Sequence, residues 1–129
     1  MARATPDSLT AAQLTDGERR TVERFAARVQ DALGDDLRAL WLYGSRARRD
    51  AHVESDIDLL IIAEGGRDRY RRIVANLSEE VALTEGESPF SYSVHVHDLA
   101  WLHGRREIDS FFIQEIDRDK IVLAGSALQ

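Results

Sequence analysis

The chain has 129 residues, a length that suits one domain with a single hydrophobic core. Hydrophobic residues make up 43% of the chain and charged residues 31%, which excludes a disordered or collagen-like protein. With 23 acidic residues against 17 Lys and Arg, the charge argues against general nucleic-acid binding, and the absence of Cys excludes disulfides, thiolate zinc sites and a cysteine nucleophile.

The N-terminal region contains no apolar signal core, because it is polar and includes Asp16 and Glu18. Apolar runs elsewhere, such as residues 59–63, are far too short to cross a bilayer. We therefore expect a cytoplasmic protein without a membrane partner. We also expect residues 1–15 to form a tail or a short helix, and residues 16–129 to form a single domain.

The first half of the chain predicts one long helix and two strands. An amphipathic helix begins near Asp16, and Gly34 is its stop signal. The apolar positions of this helix recur every three or four residues: Val22, Phe25, Ala26, Val29 and Leu33. Residues 37–43 and 57–63 predict buried strands, and the second of these is apolar on both faces, as is typical of a central strand. Residues 45–49 predict a short helix or a loop.

A second amphipathic helix is predicted to run to about residue 83. Its apolar positions are Tyr70, Ile73, Val74, Leu77 and Val81. Residues 90–97 then alternate strictly, which predicts a strand with one apolar and one polar face. The apolar face carries Phe90, Tyr92, Val94 and Val96, and the polar face carries Ser91, Ser93, His95 and His97.

The last part of the chain predicts a capped turn, a helix and a short strand. Asp98 is expected to cap a turn over residues 99–103, and residues 121–123 are expected to form the strand. The helix residues expected in the core are Phe111, Phe112 and Ile116. The resulting element order is not a repeated βαβ winding. It predicts an α+β fold, with a small mixed β-sheet flanked by helices.

Two aspartates interrupt the apolar pattern at the start of the second strand. Asp56 and Asp58 are two residues apart, so their side chains leave the same face of a strand. Paired carboxylates are suitable ligands for hard divalent cations such as Mg²⁺ or Mn²⁺. Such ions can stabilise the attacking and leaving oxygens of a phosphoryl displacement. We therefore interpret both aspartates as catalytic and metal-binding residues, against the alternative of solvent-facing residues on an edge strand.

The first strand is followed by Gly44, Ser45 and Arg46. A glycine at the end of a strand allows close approach of the backbone to a ligand. The Ser45 hydroxyl and nearby backbone amides suit phosphate oxygens, and Arg46 and Arg48 add positive charge for a triphosphate. We predict that Gly44, Ser45 and Arg46 bind a nucleotide. The alternative for Arg46 is membership of a solvated basic run.

The spacing of these residues is similar to that of a known family. Gly44-Ser45, ten further residues and Asp56-Ile57-Asp58 resemble the Gly-Ser-x10-Asp-x-Asp signature of the polymerase-beta-like nucleotidyltransferase superfamily. The small size of the chain and its Gly-Ser-Arg-Ala-Arg sequence resemble the minimal nucleotidyltransferase (MNT) branch. The resemblance covers the chain from about residue 16 onward. It implies a small mixed sheet flanked by helices.

The resemblance also implies an adenylyltransferase that transfers AMP from ATP to a hydroxyl and releases pyrophosphate. By position, Gly44 and Ser45 would hold the triphosphate, and Asp56 and Asp58 would bind Mg²⁺ or Mn²⁺. Many MNT proteins are antitoxins that adenylylate a tyrosine of a separate HEPN-type ribonuclease toxin. We therefore expect ATP as a substrate and a HEPN-type toxin as a partner in trans.

The chain departs from the family pattern at one place. The superfamily commonly has a third carboxylate on a later strand, whereas the polar face of residues 90–97 carries Ser93 and His95 but no acid. Because a neutral imidazole can act as a general base, we predict His95 as a further catalytic residue, against a surface role. Two other functions stay open: a catalytically impaired, binding-only antitoxin, which the missing carboxylate favours, and an aminoglycoside-type small-molecule nucleotidyltransferase.

Overall fold

The computed structural model of the chain describes residues 9–52 and 55–129. Its strands are β1 (Leu37–Tyr43), β2 (Ile57–Ala63), β3 (Tyr92–His97) and β4 (Ile121–Gly125). The helices described in full are α1 (Asp16–Leu33), α2 (Ser45–Arg48), α3 (Gly66–Thr84), α4 (Leu99–Glu107) and α5 (Phe111–Asp119), with 3₁₀ turns at Gly34–Asp36 and Pro89–Ser91. Of the predicted N-terminal tail, residues 1–8 lie outside the described residues, whereas Leu9 and Ala12 are buried in the core.

The four strands form one mixed sheet in the order β3-β2-β1-β4. β1 is antiparallel to both β2 and β4, and β2 is parallel to β3. β2 is therefore a central strand, as the apolar character of residues 57–63 predicts. The mixed sheet with its flanking helices confirms the predicted α+β fold class.

Helices cover both faces of the sheet, and each face has its own hydrophobic core. On one face, α1 and α3 place Val22, Phe25, Val29, Tyr70 and Val74 in one cluster with Leu40, Leu42, Leu59 and Ile61 of the sheet. On the other face, α4 and α5 place Leu102, Ile113 and Ile116 in a second cluster with Trp41, Leu60 and Ile62. The side chains of neighbouring residues in β1 and β2 thus point to opposite faces of the sheet, as strand geometry requires. Among the described residues, no helix is long and apolar enough to span a membrane.

The boundaries of α1 are set by its caps. The Thr15 hydroxyl accepts a hydrogen bond from the Glu18 amide, and the Glu18 carboxylate accepts one from the Thr15 amide, which is a capping box. At the other end Gly34 adopts a φ of 53°, and its amide donates to the carbonyl of Gln30. The predicted helix from Asp16 to the Gly34 stop signal is therefore confirmed.

β3 begins at Tyr92, later than the alternating pattern predicts. Pro89 opens a 3₁₀ turn that runs to Ser91, and Phe90 within this turn is 94% exposed. The prediction that Phe90 belongs to the apolar face of the strand is therefore wrong. Proline fixes φ and lacks an amide proton, so the turn that it opens delays the start of the strand. From Tyr92 onward the strand is as predicted.

The segment after β3 forms a longer helix than predicted. Asp98 caps it as expected, because its carboxylate accepts a hydrogen bond from the Trp101 amide. The helix does not stop near residue 103 but continues to Glu107 as α4. Asp109, with a φ of 51°, then separates α4 from α5.

The apolar residues at the start of α5 are less buried than predicted. Ile116 is buried as expected, but Phe111 is 74% exposed and Phe112 is 45% exposed, so their assignment to the core is wrong. Only one stripe of a short helix can face the sheet, and in α5 that stripe consists of Ile113 and Ile116. The two phenylalanines lie in the first turn, outside this stripe.

Candidate active site

Gly44 forms the corner between β1 and α2. Its φ of 78° lies in the left-handed region that favours glycine. A Cβ atom at this position would collide with the Oδ2 atom of Asp58. The two halves of the Gly-Ser and Asp-x-Asp motif are therefore in direct contact in the folded chain, and the contact requires glycine.

Asp58 lies near the start of β2, between two neighbouring strands. Its register partners are Tyr43 on β1 and Ser93 on β3. The Asp58 side chain is partly buried, whereas Asp56, which precedes the strand, is exposed. The alternative of an edge-strand residue does not hold for Asp58, because β2 has a strand on each side.

The electrostatic environment of Asp58 disfavours the ionised form of its carboxyl group. Burial raises the pKa of Asp58 and the charge of Asp56 raises it further, while His95 and Arg48 lower it in part. Within residues 9–52 and 55–129, no hydrogen bond or ion pair reaches either carboxylate group. The pair is therefore a site of excess negative charge that a cation would stabilise.

The donor atoms of this pair fit a hard divalent cation. Carboxylate oxygens are the ligands that Mg²⁺ and Mn²⁺ prefer, and a positive charge here would oppose the effects that raise the pKa of Asp58. Asp56 and Asp58 are thus the residues that could hold the metal. The described part of the chain contains no group of three or more His, Asp or Glu side chains placed to share one ion.

The polar face of β3 lies beside this pair. Ser93 is in register with Asp58, and its Oγ atom is 3.3 Å from Nε2 of His95. His95 lies two residues further along the strand, and its charge acts on the pKa of Asp58. The structure therefore brings Ser93 and the predicted base His95 to the β3 side of Asp58, opposite Gly44.

Arg46 is buried, and protein groups bind its guanidinium. Nη1 donates to the Glu18 carboxylate at 2.8 Å and to the Gln13 carbonyl at 3.1 Å, and Nη2 donates to the Ser55 carbonyl at 2.8 Å. Burial raises the pKa of Glu18, but hydrogen bonds from Thr15 and Arg46 outweigh it and hold that pKa below its usual value. Arg46 thus connects α1 to the loop before β2, rather than standing in the basic run.

Arg48 is the arginine whose charge acts on the candidate site. It is exposed and pairs with Asp50 at 3.2 Å and Asp119 at 3.9 Å. Its charge lowers the pKa of Asp58. Residues two positions apart on a helix do not share a face, so Arg46 points to the interior while Arg48 stays outside.

Tyr43 is a neighbour of the carboxylates that the apolar strand pattern does not distinguish from core residues. Burial and the charge of Asp58 raise the pKa of its phenol to about 12, so the hydroxyl keeps its proton at neutral pH. The Phe112 ring meets the Tyr43 ring edge-on, with centroids 5.9 Å apart. The only sequence signal that Tyr43 lies beside the carboxylates is its position directly before Gly44.

The family of the chain follows from a match to its domain model. The model described as "Polymerase beta, Nucleotidyltransferase" matches residues 29–127. This chain belongs to the polymerase beta nucleotidyltransferase family. The match spans both halves of the motif, Gly44-Ser45 and Asp56-Ile57-Asp58, and confirms the resemblance that they indicate.

Two solved structures share this nucleotidyltransferase fold. One is a toxin-antitoxin with AMP-PNP, which has 20% identity and a TM-score of 0.51 and matches over 79% of this chain and 72% of that chain. The other is a mutant of the toxin-antitoxin MntA-HpeT, with 18% identity, a TM-score of 0.50 and coverage of 78% and 70%. No curated protein matches the chain. At these identities the likeness concerns the fold.

Proposed function

We propose that this nucleotidyltransferase transfers AMP from ATP to a hydroxyl of a partner protein and depends on Mg²⁺ or Mn²⁺. The observation that carries the proposal is the contact between Gly44 and Asp58. This contact brings together two features. One is a backbone corner that a ligand can approach closely, and the other is a carboxylate pair with excess negative charge. These are the two parts that a metal-bound nucleotide needs.

In the proposed reaction, the acceptor oxygen forms a bond to the α-phosphorus of ATP. The bond from that phosphorus to the oxygen bridging it to the β-phosphate breaks, and pyrophosphate leaves with the electron pair. The proton of the acceptor hydroxyl passes to a base. Asp56 and Asp58 would hold the divalent cation, which would supply positive charge where negative charge develops on the phosphate oxygens.

The residues of the site have separate roles in this proposal. Gly44 and Ser45 orient the triphosphate, and Arg48 contributes positive charge from the same corner. His95 is the base that accepts the proton, and the Ser93 hydroxyl, 3.3 Å from Nε2, positions its ring. Arg46, which is also predicted to bind the nucleotide, is given a structural role in this proposal, because its guanidinium already binds Glu18 and the Ser55 carbonyl.

We also propose that the acceptor is a tyrosine of a HEPN-type toxin, which would make this chain an antitoxin. The support is that two structures with this fold are described as toxin-antitoxins, one of them with AMP-PNP. The family resemblance of the Gly-Ser and Asp-x-Asp motif implies the same partner. Modification of the toxin would then be the means of neutralisation.

Transfer of label from ATP tests this function. The protein is incubated with Mg²⁺, ATP labelled at the α-phosphate, and the protein encoded by the adjacent reading frame as acceptor. We expect label on the acceptor from α-labelled ATP and none from γ-labelled ATP. Asp58→Asn should lower the rate more than about a hundredfold, whereas Asp31→Asn, on the exposed side of α1, should leave it unchanged. A folded wild-type protein that transfers no α-label contradicts the enzymatic proposal.

A second function, neutralisation by binding alone, is favoured by the lack of a three-ligand cluster among the described residues. If it applies, Asp56→Asn and Asp58→Asn still protect cells from the toxin although no AMP is transferred. Ser93→Asp probes the difference directly, because it places a third carboxylate in register with Asp58. A rise in AMP transfer by this variant would identify the position of Ser93 as the one that limits the wild-type rate.

A further inference from the structure

A groove runs along the outer edge of the sheet, between β3 and α3. It has a volume of about 250 Å³, and Arg67, Arg71 and Val74 of α3 line it together with Val94, His95 and His97 of β3. We call it the edge groove. It is separate from the corner at Gly44, which lies two strands away.

The edge groove has an incomplete β-sheet on one wall. In the described part of the chain, β3 pairs with β2 alone and is the last strand of the sheet. An edge strand presents backbone amides and carbonyls that can pair with a further strand. Extended peptides bind to such edges by adding a strand, and neighbouring side chains provide the specificity.

The other wall of the groove is positively charged. Arg67 and Arg71 are four residues apart on α3, so they lie on the same side of the helix, and both are exposed. Neither has an ion pair or a side-chain hydrogen bond with the described residues. This concentration of positive charge contrasts with the formal net charge of −6 of the whole chain.

The lowered pKa of His97, on the strand side of the groove, reflects burial and the same positive charge. Burial lowers its pKa, and the charges of His95, Arg67 and Arg105 lower it further, while Asp98 acts in the opposite direction. The Asp98 carboxylate is already engaged with an amide of α4. The groove is thus suited to a ligand that brings negative charge.

His95 is the residue that the edge groove shares with the proposed active site. Asp58 lies between Gly44 at the end of β1 and Ser93 on β3. If Gly44 and Ser45 hold the triphosphate on the β1 side, we place the acceptor on the opposite side of Asp58, toward β3. β3 therefore takes part in both places: His95 acts on Asp58 and also lines the edge groove.

We propose that the edge groove binds an extended, acidic segment of the partner protein, which adds as a further strand to β3. Its carboxylates pair with Arg67 and Arg71, and an apolar side chain packs between Val74 and Val94. The statement that this segment carries the acceptor hydroxyl rests on the proposed function, whereas the binding itself does not. The groove favours a peptide over a nucleic acid because strand pairing needs backbone amides, which a nucleic acid lacks.

Peptide binding, measured without nucleotide or metal, tests the proposal. The probe is a fluorescent peptide in which Glu alternates with Val around a central Tyr, and its binding to the full chain is followed by anisotropy. We expect binding that weakens at high salt, and that falls about tenfold in Arg71→Glu. Arg72→Glu is the matched control, because Arg72 is the next residue of α3, is exposed and does not line the groove. It should change the affinity by less than about twofold.

Two further probes test the mode of binding. A peptide of the same sequence with N-methylated amides should lose binding, because it cannot pair with a strand edge. In hydrogen exchange, the unmethylated peptide should protect amides of β3 in the wild-type chain. Equal binding of a Lys-for-Glu peptide, tighter binding of oligouridine, or unchanged exchange in β3 would each overturn the proposal.

A failure of the edge-groove proposal can be distinguished from a failure of the proposed function. If the acidic peptide binds and no AMP is transferred to any acceptor, the edge groove stands and the enzymatic proposal fails. If AMP is transferred at an unchanged rate by Arg71→Glu and the peptide does not bind, the enzyme stands and the edge groove fails.

Discussion

Two charged sites meet at the corner after β1, and their electrostatics are opposite. Around Arg46, a buried cation is matched by the Glu18 carboxylate and by backbone carbonyls. At Asp58, a partly buried carboxylate lies beside a second one, and among the described residues no cation pairs with either. The first arrangement stabilises the fold, whereas the second weakens it. A site that weakens its own fold is a candidate for ligand binding. Asp58 is therefore a better candidate for a ligand-binding residue than Arg46.

The largest effect on stability is expected from removing Arg46. Arg46→Ala leaves the mostly buried Glu18 without its cation, so the free energy of unfolding should fall by about 3 kcal/mol. Arg28→Ala is the matched control, since Arg28 pairs with Glu80 at 3.2 Å on the surface, and it should cost less than about 0.5 kcal/mol. Urea denaturation measures both. Equal losses would show that the Arg46 site is no more structural than a surface ion pair.

For Gly44→Ala, we expect the free energy of unfolding to fall by about 2 kcal/mol, somewhat less than for Arg46→Ala. The new Cβ would be strained by the positive φ and would also collide with Asp58. Gly86→Ala is the control for strain alone, because Gly86 has a φ of 75° and nothing within 4 Å of its Cβ position; it should cost about 1 kcal/mol. The extra loss at Gly44 should shrink in an Asp58→Ala background, and a loss that stays the same contradicts the contact.

The smallest expected effects are the pH dependences, which should have opposite signs at the two sites. The pKa of Glu18 is lowered in the folded chain, so its stabilisation is present above about pH 4 and is lost as the pH falls through the folded pKa. Glu18→Gln should therefore cost about 1 kcal/mol at neutral pH and less in acid.

Asp58 should behave in the reverse way. Its folded pKa is raised, so its ionisation destabilises the chain at neutral pH, and the penalty disappears as the pH falls toward the unfolded value near 4. Asp58→Asn should stabilise the chain at neutral pH by about 0.5 kcal/mol, a small gain because the group is partly solvated. Thermal unfolding across pH measures both variants. Parallel pH curves for the two would contradict the proposed contrast.

The parts of the fold that could be predicted are those that depend on residues close in sequence. The stripe of α1 and its Gly34 stop, the apolar strand at residues 57–63 and the spacing of Gly44 and Asp58 are local patterns, and each has the expected place in the structure. The family match confirms the resemblance that the Gly-Ser and Asp-x-Asp motif indicates.

The parts that could not be predicted depend on contacts between distant segments. In the sequence, Arg46 does not differ from its neighbours in the basic run. Its partner Glu18 lies 28 residues away in the chain and reaches it only in the folded structure. Phe111 and Phe112 have the apolar character of core residues, but they lie outside the buried stripe of the short α5 and stay largely exposed. The edge groove requires the strand order, which no local pattern contains.

Calorimetric titration with AMP-PNP and Mn²⁺ tests whether Asp56 and Asp58 bind a metal-nucleotide complex at the Gly44 corner. The wild-type chain should bind AMP-PNP saturably with Mn²⁺ and much more weakly with EDTA. Asp58→Asn should weaken the Mn²⁺-dependent binding by more than about tenfold, and Asp31→Asn should leave it unchanged. Binding of equal strength to the wild-type and Asp58→Asn chains, or no binding to a folded wild-type chain, would contradict a metal-nucleotide site at Asp58.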